Sequence, residues 1–230
     1  MKKVILSIAI AFAAVVSADA QKQTGGEKNL EVQFAPLGGN PVSISGIRLR
    51  LFNSESSAIR IGFNIGGTSS KEITQEVDND ADLLDLTTTD KTFNFAIRPG
   101  YEKHFAGTDR LSPYIGAELL IGISRETTIE ETQYTDNSGD PQMQTETSKS
   151  GSTTFGINAV AGTDFYFADN IYLGAEIGFG FSRTGDGDNE TTYENPAEGV
   201  EDVTSTVGNQ TNSGWGPNFQ GTLRLGWLFN

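Results

Sequence analysis

Eight segments of this chain alternate apolar with polar residues, and a period of two puts every second side chain on the same face of a β-strand. The first is Leu30, Val32 and Phe34, interleaved with Glu31 and Gln33. The second sets Ile47, Leu49 and Leu51 against Arg48 and Arg50; after the turn Asn53 to Ser56, the third sets Ile59, Ile61, Phe63 and Ile65 against Arg60, Gly62 and Asn64. The fourth carries Phe93, Phe95, Ile97 and Tyr101 opposite Asn94, Ala96, Arg98 and Gly100. In the fifth, Ile115, Ala117, Leu119, Ile121 and Ile123 oppose Tyr114, Gly116, Glu118, Gly122 and Ser124, with Leu120 an exception on the polar side. The sixth opposes Phe155, Ile157, Ala159, Ala161, Phe165 and Phe167 to Gly156, Asn158, Gly162, Asp164 and Tyr166, with Val160 out of pattern. The seventh opposes Leu173, Ala175, Ile177, Phe179 and Phe181 to Tyr172, Gly174, Glu176, Gly178, Gly180 and Ser182. The last sets Phe219, Leu223, Leu225, Trp227 and Phe229 against Gln220, Thr222, Arg224 and Gly226. No segment keeps a period of 3.6 over a helical length, so the expectation is an all-β chain with almost no helix. Tyr114 to Arg125 repeats Tyr172 to Arg183 at seven of twelve positions, which gives the fifth and seventh strands equivalent parts.

Such a sheet closes either as a soluble barrel with an oily interior or as a membrane barrel with an oily exterior, and the polar face decides between them. A solvated face would carry Lys, Glu, Thr and Ser. This one carries repeated Gly, and its charges are Glu31, Arg48, Arg50, Arg60, Arg98, Glu118, Asp164, Glu176 and Arg224. Five guanidiniums nearly balance four carboxylates, and the planar fork of Arg pairs with carboxylate in a confined space while Gly leaves room for the long side chains. The polar face is therefore expected to line a crowded interior and the apolar face to meet lipid. Aromatics gather near segment ends, at Phe93, Phe105, Phe167, Phe181, Trp215, Trp227 and Phe229, where interfacial girdles belong. Each segment also has about the 9 to 11 residues that a tilted membrane strand requires.

The connections alternate in length. Asn53 to Ser56, Ala106 to Ser112 and Ala168 to Asn170 are short; Gly67 to Lys91, Glu126 to Ser152 and Thr184 to Gly214 are long and are expected to be mobile; Pro36 to Ser45 is modest. Residues 1–20 read as an export signal, with Met1, Lys2 and Lys3 preceding the apolar run Val4 to Val16 and the small-x-small site ending at Ala20. The expected organisation is a signal peptide at 1–20, a polar lead-in at 21–29 and a barrel at 30–230. The absence of Cys excludes thiolate metal and redox centres, and a formal charge of -14 argues against nucleic acid as a partner.

With these residues in place, the chain resembles the small eight-stranded outer-membrane barrels of the OmpA and OmpX type from Leu30 to Phe229. The resemblance implies an eight-stranded antiparallel up-and-down transmembrane β-barrel in a Gram-negative outer membrane, with short periplasmic turns, long extracellular loops and both termini in the periplasm. It also makes Leu223, Leu225, Trp227 and Phe229 the assembly signal read by the barrel assembly machinery. Two features depart from that signal: Asn230 follows the last aromatic, and Gly221 and Gly226 fall outside its usual glycine spacing. Because the chain stops after the eighth segment, the peptidoglycan-binding domain of full-length OmpA is expected to be absent.

Members of such families that are hydrolases or acyl transferases place His with Ser or Asp near the outer rim. The one histidine here, His104, follows Arg98 and Gly100 toward a short turn, so it is expected at the periplasmic rim as a polar side chain at a strand end rather than a general base. No cofactor and no enzymatic activity are expected. The three long connections carry 20 acids against Lys71, Lys91 and Lys149, a field that concentrates cations outside the cell. Asp78, Asp80 and Asp82, and Asp186, Asp188 and Glu190, alternate oxygen ligands in a spacing open to Ca²⁺, although neither run completes a known calcium loop. The functional expectation is a structural and surface-interaction barrel whose partners are outer-membrane lipid, lipopolysaccharide through bridging cations, and cationic ligands. A narrow channel is the alternative.

Overall fold

The computed structural model describes residues 22–34, 44–77, 83–135, 141–187, 189–194 and 211–230. They form nine strands: β1 (Lys28–Phe34), β2 (Ile44–Ser54), β3 (Ser57–Val77), β4 (Leu83–His104), β5 (Leu111–Thr135), β6 (Pro141–Ala168), β7 (Ile171–Asp186), β8 (Glu190–Glu194) and β9 (Thr211–Phe229). None of the described residues is helical. Each of β1 to β6 pairs antiparallel with the next, β7 pairs with β9, and β9 returns to β1 from Phe229↔Lys28 to Leu223↔Phe34. The sheet thus closes into a ring. Closure gives each strand of the ring a partner on both sides, which is what hydrocarbon, lacking any hydrogen-bond donor or acceptor, demands of a spanning sheet.

Eight of the described strands make the ring. The short β8 pairs only with the far end of β6, from Lys149↔Glu190 to Thr145↔Glu194, and has no counterpart among the eight alternating segments. The expectation of long mobile loops is corrected over much of their length. β3 and β4 stay in register out to Val77↔Leu83, and β5 and β6 out to Thr135↔Pro141. These extensions have lost the apolar alternation but not the capacity to pair, because ladder hydrogen bonds need no greasy face and β-branched Thr suits extended backbone. Hydroxyl contacts tie neighbouring strands at Thr68–Thr92 and Thr154–Thr184, both 2.8 Å, and Thr128 donates to Asp90 at 2.8 Å.

The opposite rim has tight turns. Ser54 Oγ meets Ser57 Oγ at 2.8 Å across the β2–β3 turn, and Leu111 N donates to Thr108 Oγ1 at 3.1 Å in the β4–β5 connection. Asn170 takes the left-handed conformation (φ 62°) between β6 and β7, which Asn tolerates because its short polar side chain bonds locally. Its carbonyl receives Leu228 N at 2.7 Å, tying that turn to the last strand.

The side-chain alternation resolves the choice of face. Ile121 and Phe179 are 39% and 51% exposed on the outside, whereas Arg60 is fully buried inside and Glu118 is 7% exposed. Trp215 and Trp227, both exposed on the outside, pair with Phe181 and Ile171, which lie ten residues apart on β7. At about 3.3 Å per residue and a tilt of about 40° that is a height of roughly 25 Å, the height of the apolar band of a membrane barrel.

Candidate functional site

The interior is filled in layers from the short-turn rim upward. At that rim Gln23, from the segment before β1, lies buried inside the ring mouth. Its amide nitrogen donates to the Glu55 carbonyl at 3.1 Å and to Ser112 Oγ at 2.8 Å, and its amide oxygen accepts from the Tyr166 hydroxyl at 2.9 Å. His104 Nδ1 meets Ser112 Oγ at 2.8 Å, and Nε2 meets Glu102 at 3.2 Å. Next comes an apolar and aromatic layer of Phe52, Ala58, Tyr166, Tyr172 and Leu228, all inward by the strand alternation.

Above it the charges interlock. Arg50 reaches Glu31 at 2.8 Å, Glu102 at 2.9 Å and Asp164 at 2.7 Å, while Arg224 spans Glu31 at 3.1 Å and Asp164 at 2.7 Å. Arg60 donates to Glu102 and Glu118 at 2.8 Å and to Glu176 through both terminal nitrogens at 2.8 and 2.9 Å. Arg48 grips Glu176 at 3.1 and 3.0 Å and also reaches Glu31 at 3.4 Å. None of these four guanidiniums serves one acid alone, which suits Arg, whose five N–H groups diverge in a plane. Tyr172 donates to Glu31, and Tyr114 donates to Glu176. Arg50 also stacks 5.1 Å from the Tyr172 ring and Arg224 5.2 Å from the Tyr114 ring, so the tyrosines shield the charged layer that they also hydrogen-bond.

Glycine makes this density possible at two places in particular. A Cβ on Gly226 would fall inside the Tyr172 ring, and one on Gly162 would strike the Tyr114 hydroxyl. Each tyrosine lies flat across a neighbouring strand only because that strand has no side chain there.

Glu31, Arg48, Arg50, Arg60, Glu118, Asp164, Glu176 and Arg224, singled out from the sequence, are all buried here. Arg98 sits at the top of the network, half-buried, donating to Asn64. Glu102, Asn29, Ser112 and Gln23 are further members that the sequence pattern does not single out. Glu102 and His104 continue the inward parity of Arg98 and Gly100 past Tyr101, a signal that becomes visible when the fourth segment is extended by three residues. Gln23 lies before the first alternating segment and has no periodic signal at all. Val160 and Leu120 point inward in keeping with their parity, Val160 buried beside the charged layer and Leu120 half-buried.

Leu223, Leu225, Trp227 and Phe229 lie on the outward face of β9, exposed, on the strand that closes the ring. Of the calcium candidates, Asp78, Asp80, Asp82 and Asp188 lie outside the described residues. Asp186 ends β7 and Glu190 begins β8, and no cluster of three or more metal-type ligands occurs among the described residues.

A closed antiparallel ring, greasy outside and ion-paired within, defines a small outer-membrane β-barrel of the OmpA-like kind. The family described as OmpA-OmpF-like porin matches residues 53–212, and the chain belongs to that family. Among solved structures, the crystal structure of Acinetobacter baumannii CarO is similar at 15% identity, covering 89% of this chain and 97% of that chain, with a TM-score of 0.36. No curated protein matches the chain.

Proposed function

We propose that this outer-membrane barrel is non-enzymatic and does not conduct bulk solute, acting instead as a membrane-stabilising scaffold that presents acidic extracellular connections to cations and cationic ligands. The observation that carries this reading is the interior itself: Arg50, Arg60, Arg224, Glu31, Glu102 and Asp164 have no solvent-accessible surface, and tyrosines pack against them across the lumen. An eight-stranded ring has room for little more than its own side chains. In this reading the short-turn rim and both termini face the periplasm, and β9 is the strand recognised during assembly.

Ser112, His104 and Glu102 stand in the hydrogen-bond order of a hydrolytic relay, but two features disfavour that use. Ser112 is 1% exposed beneath Gln23, and Glu102 is already shared by Arg50 and Arg60. A narrow channel draws support from the family's porin description and from the small lining above the network, where Gly122, Gly156, Ser124 and Ser182 face inward. Planar-bilayer recording of the refolded protein separates the two. The proposal expects no steady unitary conductance, and persistent single-channel steps that survive purification of the heat-shifting, folded band would refute it.

A further inference from the structure

Every Lys and Arg in the half of the chain beyond the ionic network falls on one face. Residues 61–97, 119–157 and 179–217 contain only Lys71, Lys91, Arg125, Lys149 and Arg183 as cations. All five are exposed and share outward parity with Phe63, Phe93, Ile123, Phe155 and Phe181 on their respective strands. The intervening positions turn Asp90, Glu126 and Glu130 toward the lumen. The extensions are thus sorted by charge, with acids prominent within and cations collected without.

Register brings three of the cations together. Lys91 and Lys149 both lie in the row of Thr127, and Arg125, one step lower on the outward face of the same strand, lies opposite Phe93 and Gly151. Arg125 is therefore the diagonal neighbour of both lysines, at about 7 Å on a pleated sheet. Gly151 supplies its seat, since a Cβ there would lie 3.0 Å from the guanidinium. Arg183 continues the belt opposite Phe155. None of the five is in an ion pair among the described residues.

We infer that Lys91, Arg125 and Lys149 form a docking site for the phosphate groups of outer-leaflet glycolipid. Arg125 lies in the row of the girdle residue Phe93 and the two lysines one step above it, at the height where lipid headgroups meet the barrel wall, and phosphate is the anion that membrane presents there. This rests on the orientation proposed above, with the long connections outside. It differs from divalent bridging to the acidic loops, because cationic side chains contact phosphate without any metal.

The test uses the full refolded protein in phosphatidylcholine nanodiscs with EDTA, titrated with bisphosphorylated or fully dephosphorylated lipid A. Wild type is expected to prefer the phosphorylated form by on the order of tenfold, as three exposed charge pairs would compound. In Lys91→Gln/Arg125→Gln/Lys149→Gln the preference should fall to within about twofold. Lys28→Gln/Lys103→Gln, altered at the other rim, should keep it. No preference in wild type, full preference in the triple variant, or equal loss in the rim control would each overturn the inference. The boiled-versus-unboiled gel shift is run on every sample; a wild-type protein lacking it would overturn the barrel reading and this inference together.

Discussion

Replacing Arg50 by Met tests whether the interior is one coupled network or a collection of independent pairs. Arg50 is fully buried and serves three acids, Glu31 at 2.8 Å, Glu102 at 2.9 Å and Asp164 at 2.7 Å. Breaking a buried pair by removing one partner usually costs about 3–5 kcal/mol, because the other charge is left without compensation in a medium that cannot solvate it. Here no acid is wholly stranded: Glu31 and Asp164 keep Arg224 at 3.1 and 2.7 Å, and Glu102 keeps Arg60 at 2.8 Å. Sharing should hold the loss near the lower end, about 3 kcal/mol. Adding Glu102→Gln removes one of the surplus negative charges, so the double variant should lose less than the sum of the single variants by about 1–3 kcal/mol. Arg50→Lys should recover only part of the loss, since a compact ammonium lacks the spread of Nε, Nη1 and Nη2 with which Arg50 reaches its three acids. The assay is equilibrium urea unfolding in phospholipid vesicles, followed by tryptophan emission; Trp215 and Trp227 both sit on the outer surface and report departure from lipid. A change within about 0.5 kcal/mol for Arg50→Met, or strict additivity in the cycle, would refute the coupled network.

Other outcomes follow from the same geometry. Gly226→Val should destabilise by about 1–3 kcal/mol through overpacking against Tyr172, whereas Gly66→Ala, where a Cβ meets nothing within 4 Å, should be neutral in the same titration. Gln23→Ala should cost about 1–3 kcal/mol by leaving the Ser112 and Tyr166 groups short of a partner, and a neutral result would remove Gln23 from the rim cluster. Leu119→Arg, outward and half-exposed near mid-height, should cost about 2–4 kcal/mol in vesicles, and Thr127→Arg above the girdle close to none; equal costs would contradict the placement of the bilayer.

The membrane-facing part of the fold is legible in the sequence because lipid imposes a strict requirement. Outward residues between the girdles must be apolar, so β3, β5 and β7 announce themselves by Ile59 to Ile65, Ile115 to Ile123 and Leu173 to Phe181. The inward charges are equally legible, since an Arg that alternates with lipid-facing residues needs a polar lumen to point into, and a neighbouring Gly gives it the room. Legibility ends where the lipid requirement ends. Beyond Lys91 and Glu126 water satisfies either face, so the Thr- and Ser-rich strand extensions carry no hydrophobic period and look like loops in the sequence. Glu102 is obscured at the other end for a related reason: the apolar face stops at Tyr101, and only the polar parity continues past it. Gln23 depends on how the chain enters the ring, a tertiary fact that no local pattern encodes.

The central claim, that the apolar face meets acyl chains while the charges fill the lumen, can be tested by spin labels on a chain that has no native cysteine to remove. Nitroxides at Leu119→Cys, Ile157→Cys and Phe179→Cys, in the refolded protein in vesicles, report their collision rates with oxygen and with a water-soluble nickel complex. High oxygen accessibility and low nickel accessibility at all three is the predicted result. High nickel accessibility at these positions, or strong label immobilisation with neither collider reaching them, would mean that the greasy face lies in water or in a core and would contradict the account.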